Sequence, residues 1–383
     1  MTQEIRDFVP PGCELLGLGE PTHQEPAFAL IRNELFARLV ELGFRSIVLE
    51  TDRVAAFAVD DFVRAGRGTL DSAMREGFSH GFGALEANRQ LVGWLRDYNR
   101  DRPPAQQVAF HGFDMPGENY SAPSPRRYLE FARGYAGLEL DLAELLGPDE
   151  RWSRAAAVLD PAESPGAGAA AERLRVLADD VALALDTRAA ELIATSSRAE
   201  WRRAAAYLDA GIGLLRYHRA AARPLAARER MTLLLATRDA LMARNLLDIR
   251  GVEARRGPTL VFAHNLHLRR HPSGAAARDE LPGYECAGAI VGALLDDDQY
   301  ACVVGSLGSS AVLGLAEPAP GTHESFLQGR TSTWDLLPPA TPETAHSRTD
   351  TEPRQGYFPL DRPLVEQAAA ILHVRAGVAR AAG

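Results

Sequence analysis

The sequence predicts an α/β fold: a central, largely parallel sheet with flanking helices, plus an inserted α-helical domain. In the first 123 residues and again after residue 250, short apolar runs alternate with amphipathic stretches of helical period, which is the pattern of βα units. Between these regions the chain is rich in Ala, Arg, Leu and Glu and holds few strand-like runs. We therefore expect an α/β domain assembled from residues 1–123 and 251–383, and a helical insertion domain of residues 124–250.

The N-terminal region contains three predicted strands and three predicted helices. Each strand is a short apolar run, and each helix repeats its apolar residues every three or four positions. Gly43 is placed to end the first helix and Asp52 to cap the second, as expected for these residue types. The strands span residues 14–19, 45–50 and 107–114, and the helices span residues 26–42, 52–65 and 84–99.

The middle region is predicted to be helical, and strands return in the C-terminal region. Prolines and glycines interrupt the middle region and separate its amphipathic helices. The helices span residues 170–185, 197–223 and 225–248, and the strands span residues 259–265, 300–306 and 370–375. Residues 317–363 are rich in Pro, Thr and Gly, so we expect them to form a long surface loop.

The composition disfavours several classes of protein. Hydrophobic residues make up 46% of the chain and charged residues 24%, and the net charge is −9, which disfavours a surface that follows nucleic-acid phosphates. No apolar run reaches the roughly 18 residues that a membrane helix needs, and the first residues lack the pattern of a signal peptide. We expect a cytoplasmic protein with a small-molecule substrate and neither a nucleic-acid nor a membrane partner. The oligomeric state stays open.

All 42 basic residues are arginine, and the sequence contains no lysine. This excludes Schiff-base chemistry on a lysine, covalent attachment of pyridoxal phosphate, and the phosphate-binding lysines of P-loop proteins and kinases. The three cysteines, Cys13, Cys286 and Cys302, are too few and too scattered for a disulfide framework or a structural zinc site.

Standard nucleophile and cofactor motifs are missing from the sequence. Around Ser306 the chain reads V-G-S-L-G, with valine where a nucleophile elbow has its first glycine. The run G-L-G-E-P-T at Gly17 lacks the third glycine of a dinucleotide fingerprint, and no H-E-x-x-H occurs, which leaves no standard zinc-protease helix. We predict that Ser306, Ser309 and the three cysteines are not nucleophiles.

Histidines and acids instead gather where four predicted strands end. The motif G-E-P-T-H follows the first strand, A-H-N-L-H ends the fourth, and the second ends in Glu50. The third strand ends in H-G-F-D, which contributes His111 and Asp114. Reacting groups in open α/β sheets lie beyond the carboxyl ends of the strands. We therefore expect His23, Glu50 and His264 to converge in a cleft at one edge of the sheet.

This group of side chains suits the activation of a water molecule. We expect His23, near a helix N-terminus, to stay neutral and basic, because the positive end of the helix disfavours imidazolium. Glu20 or Glu50 would fix its tautomer. His264 and His267 would then donate protons to a developing oxyanion or to a leaving group.

Arg32 lies about two turns into the helix that follows His23, where it could hold a substrate oxygen or orient Glu50.

The motifs around these residues together resemble those of the erythromycin esterase family. The motifs that carry the resemblance are G-E-P-T-H with the F-x-L-x-R-x-x-L-F helix behind it, a strand ending in L-E, G-F-D after the third strand, R-D-x-x-M-A-x-N and A-H-N-x-H.

The resemblance covers about residues 15–375 and implies a catalytic α/β domain. It implies a metal-independent hydrolase of macrolide lactones that needs no cofactor, with His23 as general base. The resemblance also implies that Glu20 and Glu50 are the carboxylate partners of that base. It implies further that the supporting polar groups are Arg32, His264 and His267.

Two features depart from the family pattern, and both concern the substrate. Gln24 follows His23 where the family usually has glycine, and the aromatic loop at residues 77–83 contains His80. Because a small-molecule pocket is mostly apolar, we expect this loop and the apolar faces of the helical insertion to line it. The predicted substrate-binding residues are Phe78, His80, Phe82, His111, Asp114, Asn265 and Arg238.

Other functions stay open at this point. Two histidines and a carboxylate are a common metal-ligand set, so a divalent ion could be held by Glu20, His23, Glu50, His264 and His267. The same cleft could also belong to a protein that binds a small molecule without turnover, or to a biosynthetic tailoring enzyme. Metal analysis with and without chelator, and turnover of simple esters and lactones, separate these possibilities.

Overall fold

A computed structural model of the chain describes residues 4–118, 120–270 and 285–378. Seven strands in these ranges form a sheet: β1 (Leu15–Glu20), β2 (Ser46–Asp52), β3 (Ala109–Asp114), β4 (Thr259–His264), β5 (Tyr300–Ser309), β6 (Trp334–Leu337) and β7 (Ala370–Ala376). Their order in the sheet is β3-β2-β4-β1-β5-β7-β6. Neighbouring strands are parallel except β6 and β7, which run antiparallel.

Helices precede and follow most of the strands. Before β3 lie α1 (Pro26–Glu41), α2 (Phe57–Asp60, continued by a π-helical turn over Asp61–Ala65), α3 (Leu70–Glu76) and α4 (Glu86–Asn99). Between β3 and β4 lie α5 (Arg126–Ala136), α6 (Ala143–Leu146), α7 (Glu150–Ser153), α8 (Ala156–Leu159), α9 (Ala169–Thr187), α10 (Ala189–Thr195), α11 (Arg198–Ala221) and α12 (Ala227–Glu253). After β4 follow α13 (Asn265–Leu268), α14 (Ala287–Leu294), α15 (His323–Gln328) and α16 (Arg362–Gln367). Short 3₁₀ turns cover Ile5–Phe8, Phe82–Ala84, Pro165–Ala167 and Pro353–Gln355.

The sheet is buried on both faces, which explains why its strands are nearly unbroken apolar runs. Leu16 and Leu18 of β1 belong to the core on the side of α1 and α4. Leu15 belongs to the core on the opposite side, with residues of α12 and α14. This arrangement confirms the predicted α/β sheet with flanking helices.

Between β3 and β4, the described residues form helices and turns without a strand. Several of these helices pack around a separate hydrophobic cluster that includes Leu129, Trp152 and Leu208. Helix α12 differs, because its Met242 and Leu246 belong to the core under the sheet. The structure thus contains the helices predicted for residues 124–250, and their assignment to a separate domain stays a prediction.

Two local expectations are wrong. Asp52 does not cap a helix directly: its carboxylate accepts hydrogen bonds from the N–H groups of Val54 (2.7 Å) and Ala55 (3.2 Å), which closes a turn, and α2 begins at Phe57. The expected loop at residues 317–363 contains α15 and β6. The sequence hides β6 because it is an edge strand of only four residues, too short for its alternation to be recognised.

The order of the strands creates a crevice at the carboxyl ends of β1 and β4. These strands are neighbours, and Glu20 pairs in register with His264. The chain leaves β1 toward α1 on one face of the sheet and leaves β4 toward α14 on the other. Ligands of open α/β sheets bind at such a switch point. Within the described residues, no helix is both long enough and apolar enough to span a membrane.

Candidate active site

The loop between β1 and α1 positions His23 at this crevice. The loop runs from Glu20, the last residue of β1, to Glu25, whose carboxylate caps α1 by accepting a hydrogen bond from the N–H of Ala27 (3.2 Å). His23 Nδ1 lies 2.7 Å from Glu20 Oε1. Burial raises the pKa of Glu20, and the hydrogen bond with His23 opposes that effect.

The hydrogen bond with Glu20 fixes the orientation of the His23 ring. Because a carboxylate only accepts hydrogen bonds, Nδ1 carries the proton and Nε2 of the neutral ring keeps its lone pair. Nε2 lies 3.7 Å from Glu50 Oε2, which is too far for a direct hydrogen bond. The side chain of His23 is 34% exposed and lines a cavity, so Nε2 remains able to bind a ligand.

Glu50 stands at the centre of the cluster. Its Oε1 accepts from Arg238 Nη2 (3.2 Å) and lies 3.3 Å from His267 Nε2, while Oε2 accepts the backbone N–H of His264 (2.9 Å). Burial alone would raise the pKa of Glu50, but the charges of His267 and His23 hold that pKa well below its usual value. Glu50 is therefore ionised, and it links β2 to β4 and α12.

His267 is held between two carboxylates. Its Nδ1 lies 2.8 Å from Asp239 Oδ1, and its Nε2 faces Glu50. Although burial lowers the pKa of His267, Asp239 and Glu50 together raise it to about 10. Asp239 is itself fully buried and also accepts the N–H of Ala287 (2.8 Å). His267 is therefore an imidazolium that joins α12, α13 and α14.

His264 has the opposite electrostatic character. Its Nδ1 accepts the N–H of Leu266 (3.2 Å), and its Nε2 donates to the carbonyl of Pro21 (3.1 Å). Burial, with the charge of His23, lowers its pKa to about 3, so the ring is neutral. The expectation that His264 and His267 donate to a substrate needs correction, because both nitrogens of each ring are already engaged with protein groups.

The protonation of His23 also differs from the expectation. Burial lowers the pKa of its ring, but the carboxylates of Glu50 and Glu20 outweigh burial and raise that pKa. The nearby N-terminus of α1 was expected to keep the ring neutral. Two carboxylates within 4 Å exceed the partial charge of a helix end. His23 thus becomes a free base only above the ordinary pKa of histidine.

The cavity at His23 measures about 440 Å³. Arg32 of α1 lies in its wall, where the guanidinium stacks on Phe262 (4.8 Å to the ring centre) and donates to Asn33 Oδ1 (2.7 Å). Burial lowers the pKa of Arg32 to about 10, and Glu20 acts in the opposite direction. The remaining wall is mostly apolar, with side chains that include Leu30 and Leu85. This volume and character suit a small organic ligand.

A second arm of charged groups runs from Glu50 to the surface. Arg238 bridges Glu50 and Asp114, with its Nη2 2.6 Å from Asp114 Oδ2. Asp114 also lies 2.9 Å from His80 Nε2, and His80 Nδ1 lies 3.0 Å from Glu118. Burial would raise the pKa of Asp114, but Arg238 and His80 lower it to about 2. His80 adopts a φ of 57°, an uncommon conformation for a residue other than glycine.

The structure brings only part of the expected aromatic loop to the cavity. Phe82 lines it and its ring centre lies 5.2 Å from that of His23. Phe78 instead packs against Phe110 in the core (5.6 Å). His80 lines a smaller neighbouring cavity of about 60 Å³. The helical insertion contributes to that smaller cavity and to none of the described lining of the larger one, so its expected role in shaping the main pocket is not supported by position.

Two further predicted residues do not join the cluster. His111 Nε2 lies 3.0 Å from Glu253 at the end of α12; it shares the face of Phe113, and so points away from His23. Asn265 donates to the carbonyl of Gly305 (2.8 Å) and accepts its N–H (3.0 Å). The amide of Asn265 therefore joins β4 to β5, which is a structural position.

Sequence reasoning missed two acids, Asp239 and Glu118. Asp239 follows Arg238 in the R-D-x-x-M-A-x-N motif, and this adjacent Arg–Asp pair was the available signal; in the structure Asp239 is fully buried. Glu118 lies in a loop and accepts both the N–H and the ring of His80 (3.0 Å each). Nothing in its local sequence indicated this contact.

The histidines and carboxylates suggested above as metal ligands are paired with one another in the structure. Within the described ranges, no group of three or more His, Cys, Asp or Glu side chains is arranged to hold a metal ion. The lone pairs and protons of these residues are directed at one another, as the pairs of Glu50 and His267 show.

Four of the five groups expected not to be nucleophiles are buried; the fifth, Ser309, is partly exposed and its hydroxyl donates to Glu317 (2.9 Å). All three cysteines are buried and free. Burial raises the thiol pKa of Cys13 and Cys302 to about 12 and that of Cys286 to about 11, which suppresses the reactive thiolate. Ser306 is buried in β5, with its hydroxyl 3.0 Å from His373.

The family model for erythromycin esterase matches residues 39–382 of the chain. A solved mutant of the erythromycin esterase EreC, in its open conformation, is 19% identical and aligns with a TM-score of 0.67, covering 96% of this chain and 92% of that one.

Two other solved structures share the fold. A protein from Bacillus cereus aligns with a TM-score of 0.72, and a succinoglycan biosynthesis protein with a TM-score of 0.64; both are 16% identical and cover 97% of this chain and 90% of theirs. No curated protein matches the chain by sequence.

Proposed function

This chain belongs to the erythromycin esterase family of hydrolases, and from that premise we propose that it cleaves an ester or lactone of a natural-product-like small molecule with water activated by His23. The observation that carries the proposal is the triad-like row of Glu20, His23 and Glu50 in the wall of the 440 Å³ cavity. Glu20 orients the imidazole, and Glu50 stabilises the imidazolium that forms during the reaction.

The proposed reaction begins when neutral His23 accepts a proton at Nε2 from a water molecule in the cavity. The water oxygen bonds to the carbonyl carbon of the ester, and the carbonyl electron pair moves onto oxygen as an oxyanion. When the oxyanion collapses, the bond to the alcohol oxygen breaks. That oxygen takes the proton from Nε2, so the products are a carboxylic acid and an alcohol, and His23 is again neutral.

Arg32 is the group that we assign to the oxyanion. His264 and His267 have both ring nitrogens engaged, whereas the guanidinium of Arg32 lies in the cavity wall beside Glu20. A buried cation stabilises developing negative charge more strongly than one in water. Replacement of Arg32 should therefore lower kcat more than it raises KM.

The proposal is tested by turnover of a panel of p-nitrophenyl esters and macrocyclic lactones. His23→Asn should lose roughly 10²–10⁴-fold in kcat/KM, the range for removal of a general base. His111→Asn is the matched control, because it makes the same substitution at a histidine whose ring contacts Glu253. Equal activity of His23→Asn and wild type would show that another residue is the base.

Prior treatment with a chelator separates this mechanism from a metal-dependent one. We expect unchanged turnover after chelation and dialysis. A loss that is restored by added divalent metal would overturn the proposed mechanism. Failure of wild type to turn over any ester or lactone, together with saturable binding of them, would instead identify a binding protein.

A further inference from the structure

A second large cavity lies beside the one at His23. It measures about 500 Å³ and is lined by residues 265, 266 and 269 and by side chains between positions 347 and 364, including Phe358. We call it the Phe358 cavity, and the 440 Å³ cavity the His23 cavity. Neither the expected reaction nor the family pattern quoted above gives the Phe358 cavity a role.

The two cavities share a thin partition. Gln24 lines the His23 cavity and Gly356 lines the Phe358 cavity. A Cβ added to Gly356 would lie 3.0 Å from Gln24 Nε2, so the two walls are in contact. Three hydrogen bonds tie the partition together, from Phe358 N to Pro21 (3.0 Å), from Thr22 to Gln355 (3.2 Å) and from Gln24 to Arg354 (3.4 Å).

Aromatic rings cross the same partition. The ring centres of His23 and His264 are 5.3 Å apart, and those of His264 and Phe358 are 4.9 Å apart. Phe358 is 40% exposed although it is large and apolar. A molecule bound at His23 therefore lies two ring contacts away from the Phe358 cavity; the outer rings, His23 and Phe358, are partly exposed, and His264 between them is buried.

The walls of the two cavities differ in chemistry. Apart from polar groups such as Glu20, Arg32 and Glu50, the wall of the His23 cavity consists of aliphatic and aromatic carbon, for example Ala29, Leu30 and Leu85. The Phe358 cavity combines aromatic rings with hydroxyls and carboxylates, for example Thr349, Thr351 and Asp361. Aromatic faces beside hydroxyl and carboxylate acceptors suit a ligand part that has both C–H faces and several hydroxyls.

We propose that the Phe358 cavity binds the hydroxylated alcohol part of an ester whose apolar acyl part occupies the His23 cavity. The inference rests on the proposed function and names its substrate class. The carbonyl oxygen has to face Arg32, inside the His23 cavity, which draws the acyl part there. The alcohol oxygen has to receive the proton from His23, whose loop forms the partition, so the alcohol part extends across it.

The test uses two esters with one acyl part, methyl octanoate and a glucose mono-octanoate. Thr351→Trp fills the Phe358 cavity, and Thr344→Trp makes the same change at an exposed position of the same segment, outside the described lining. Thr351→Trp should lower kcat/KM for the glucose ester about tenfold or more, as expected for a blocked pocket. Thr351→Trp should leave kcat/KM for methyl octanoate within about twofold of wild type. Thr344→Trp should leave kcat/KM for both esters within the same range.

Leu85→Trp supplies the reciprocal arm. Leu85 lines the His23 cavity, so this change should lower kcat/KM for both octanoates by more than it lowers kcat/KM for methyl acetate. Two results would overturn the assignment of the alcohol part to the Phe358 cavity. One is that Thr351→Trp lowers kcat/KM equally for the two octanoates. The other is that Thr344→Trp lowers kcat/KM for the glucose ester as much as Thr351→Trp does.

A binding measurement keeps this inference separable from the proposed function. Octyl glucoside is a glycoside without an ester carbonyl, so an esterase cannot cleave it, and its affinity below the micelle concentration is measured by calorimetry. If wild type cleaves neither octanoate, the proposed function fails. Weaker binding of octyl glucoside by Thr351→Trp than by Thr344→Trp would still support the subsite, and equal binding by both variants would refute it.

Discussion

The two sides of Glu50 differ in how completely their charges are paired. Toward α12, Oε1 faces Arg238 and His267, and each of these cations also binds a buried aspartate. Toward β1, Oε2 accepts the backbone N–H of His264 and lies 3.7 Å from His23. Charges paired on all sides hold the elements together, whereas the incompletely paired imidazole beside the cavity is free to react.

This difference also explains why two histidines of one motif, A-H-N-L-H, have opposite charge. His264 is surrounded by backbone groups and has a pKa of about 3, whereas His267 lies between carboxylates and has a pKa of about 10. Burial disfavours the charged form of both rings, and only direct carboxylate partners reverse that effect. The motif alone therefore does not reveal the protonation of either residue.

The largest expected effect is a loss of stability on the α12 side of Glu50, where the charges are fully paired. Asp239→Asn leaves the imidazolium of His267 without one of its two carboxylates, so we expect the free energy of unfolding to fall by about 3–5 kcal/mol. Asp248→Asn is the control, because the Asp248 side chain that pairs with Arg53 is 54% exposed, and this change should alter stability by less than about 1 kcal/mol. Urea denaturation measures both. Similar losses in the two variants would mean that the buried pairing does not anchor the site.

The ion pairs of His267, on the α12 side of Glu50, should also make the free energy of unfolding depend on pH. The folded-state pKa of His267 is about 10, above the ordinary value of about 6.5. The stabilisation is therefore complete below about pH 6.5 and is lost as the pH rises toward 10. His267→Gln should remove this part of the slope, measured as the difference between the two stability profiles. Parallel profiles of variant and wild type would contradict the assignment of an imidazolium.

A smaller effect is expected on the open side, in the pH dependence of the reaction. Because Glu50 and Glu20 raise the pKa of His23, kcat/KM should rise with pH through a midpoint above the ordinary 6.5. Glu20→Gln removes a negative charge from the ring and should move the midpoint to lower pH, although kcat itself falls. A midpoint that stays in place would show that Glu20 does not control the base.

The smallest effect is expected at the far end of the charged arm. His80→Asn removes the ring between Asp114 and Glu118 but keeps a residue that tolerates positive φ. We expect the relative rates on different esters to change more than stability, which should fall by about 1 kcal/mol. His80→Ala, compared with it, isolates the backbone contribution. A uniform loss on all substrates would argue against a role of His80 in substrate choice.

The sequence by itself determined the fold class, the strand ends and the residues nearest the chemistry. Glu20 and His23 are three residues apart on one short loop, so their hydrogen bond was accessible from the motif. Apolar runs located six of the seven strands, because strands buried on both faces have to be apolar. The erythromycin esterase motifs came from the same local patterns, and the family model agrees with them.

Only the tertiary structure decided which polar atoms remain free for a ligand. His111 ends on Glu253 because alternation along β3 places it with Phe113 on the α12 face, and Asn265 is occupied by Gly305. The partner of His267 lies 28 residues away and that of the His264 N–H lies 214 residues away. Hydrogen bonding and desolvation depend on such distant neighbours, so local sequence places a histidine at a strand end but does not set its charge or its free nitrogen.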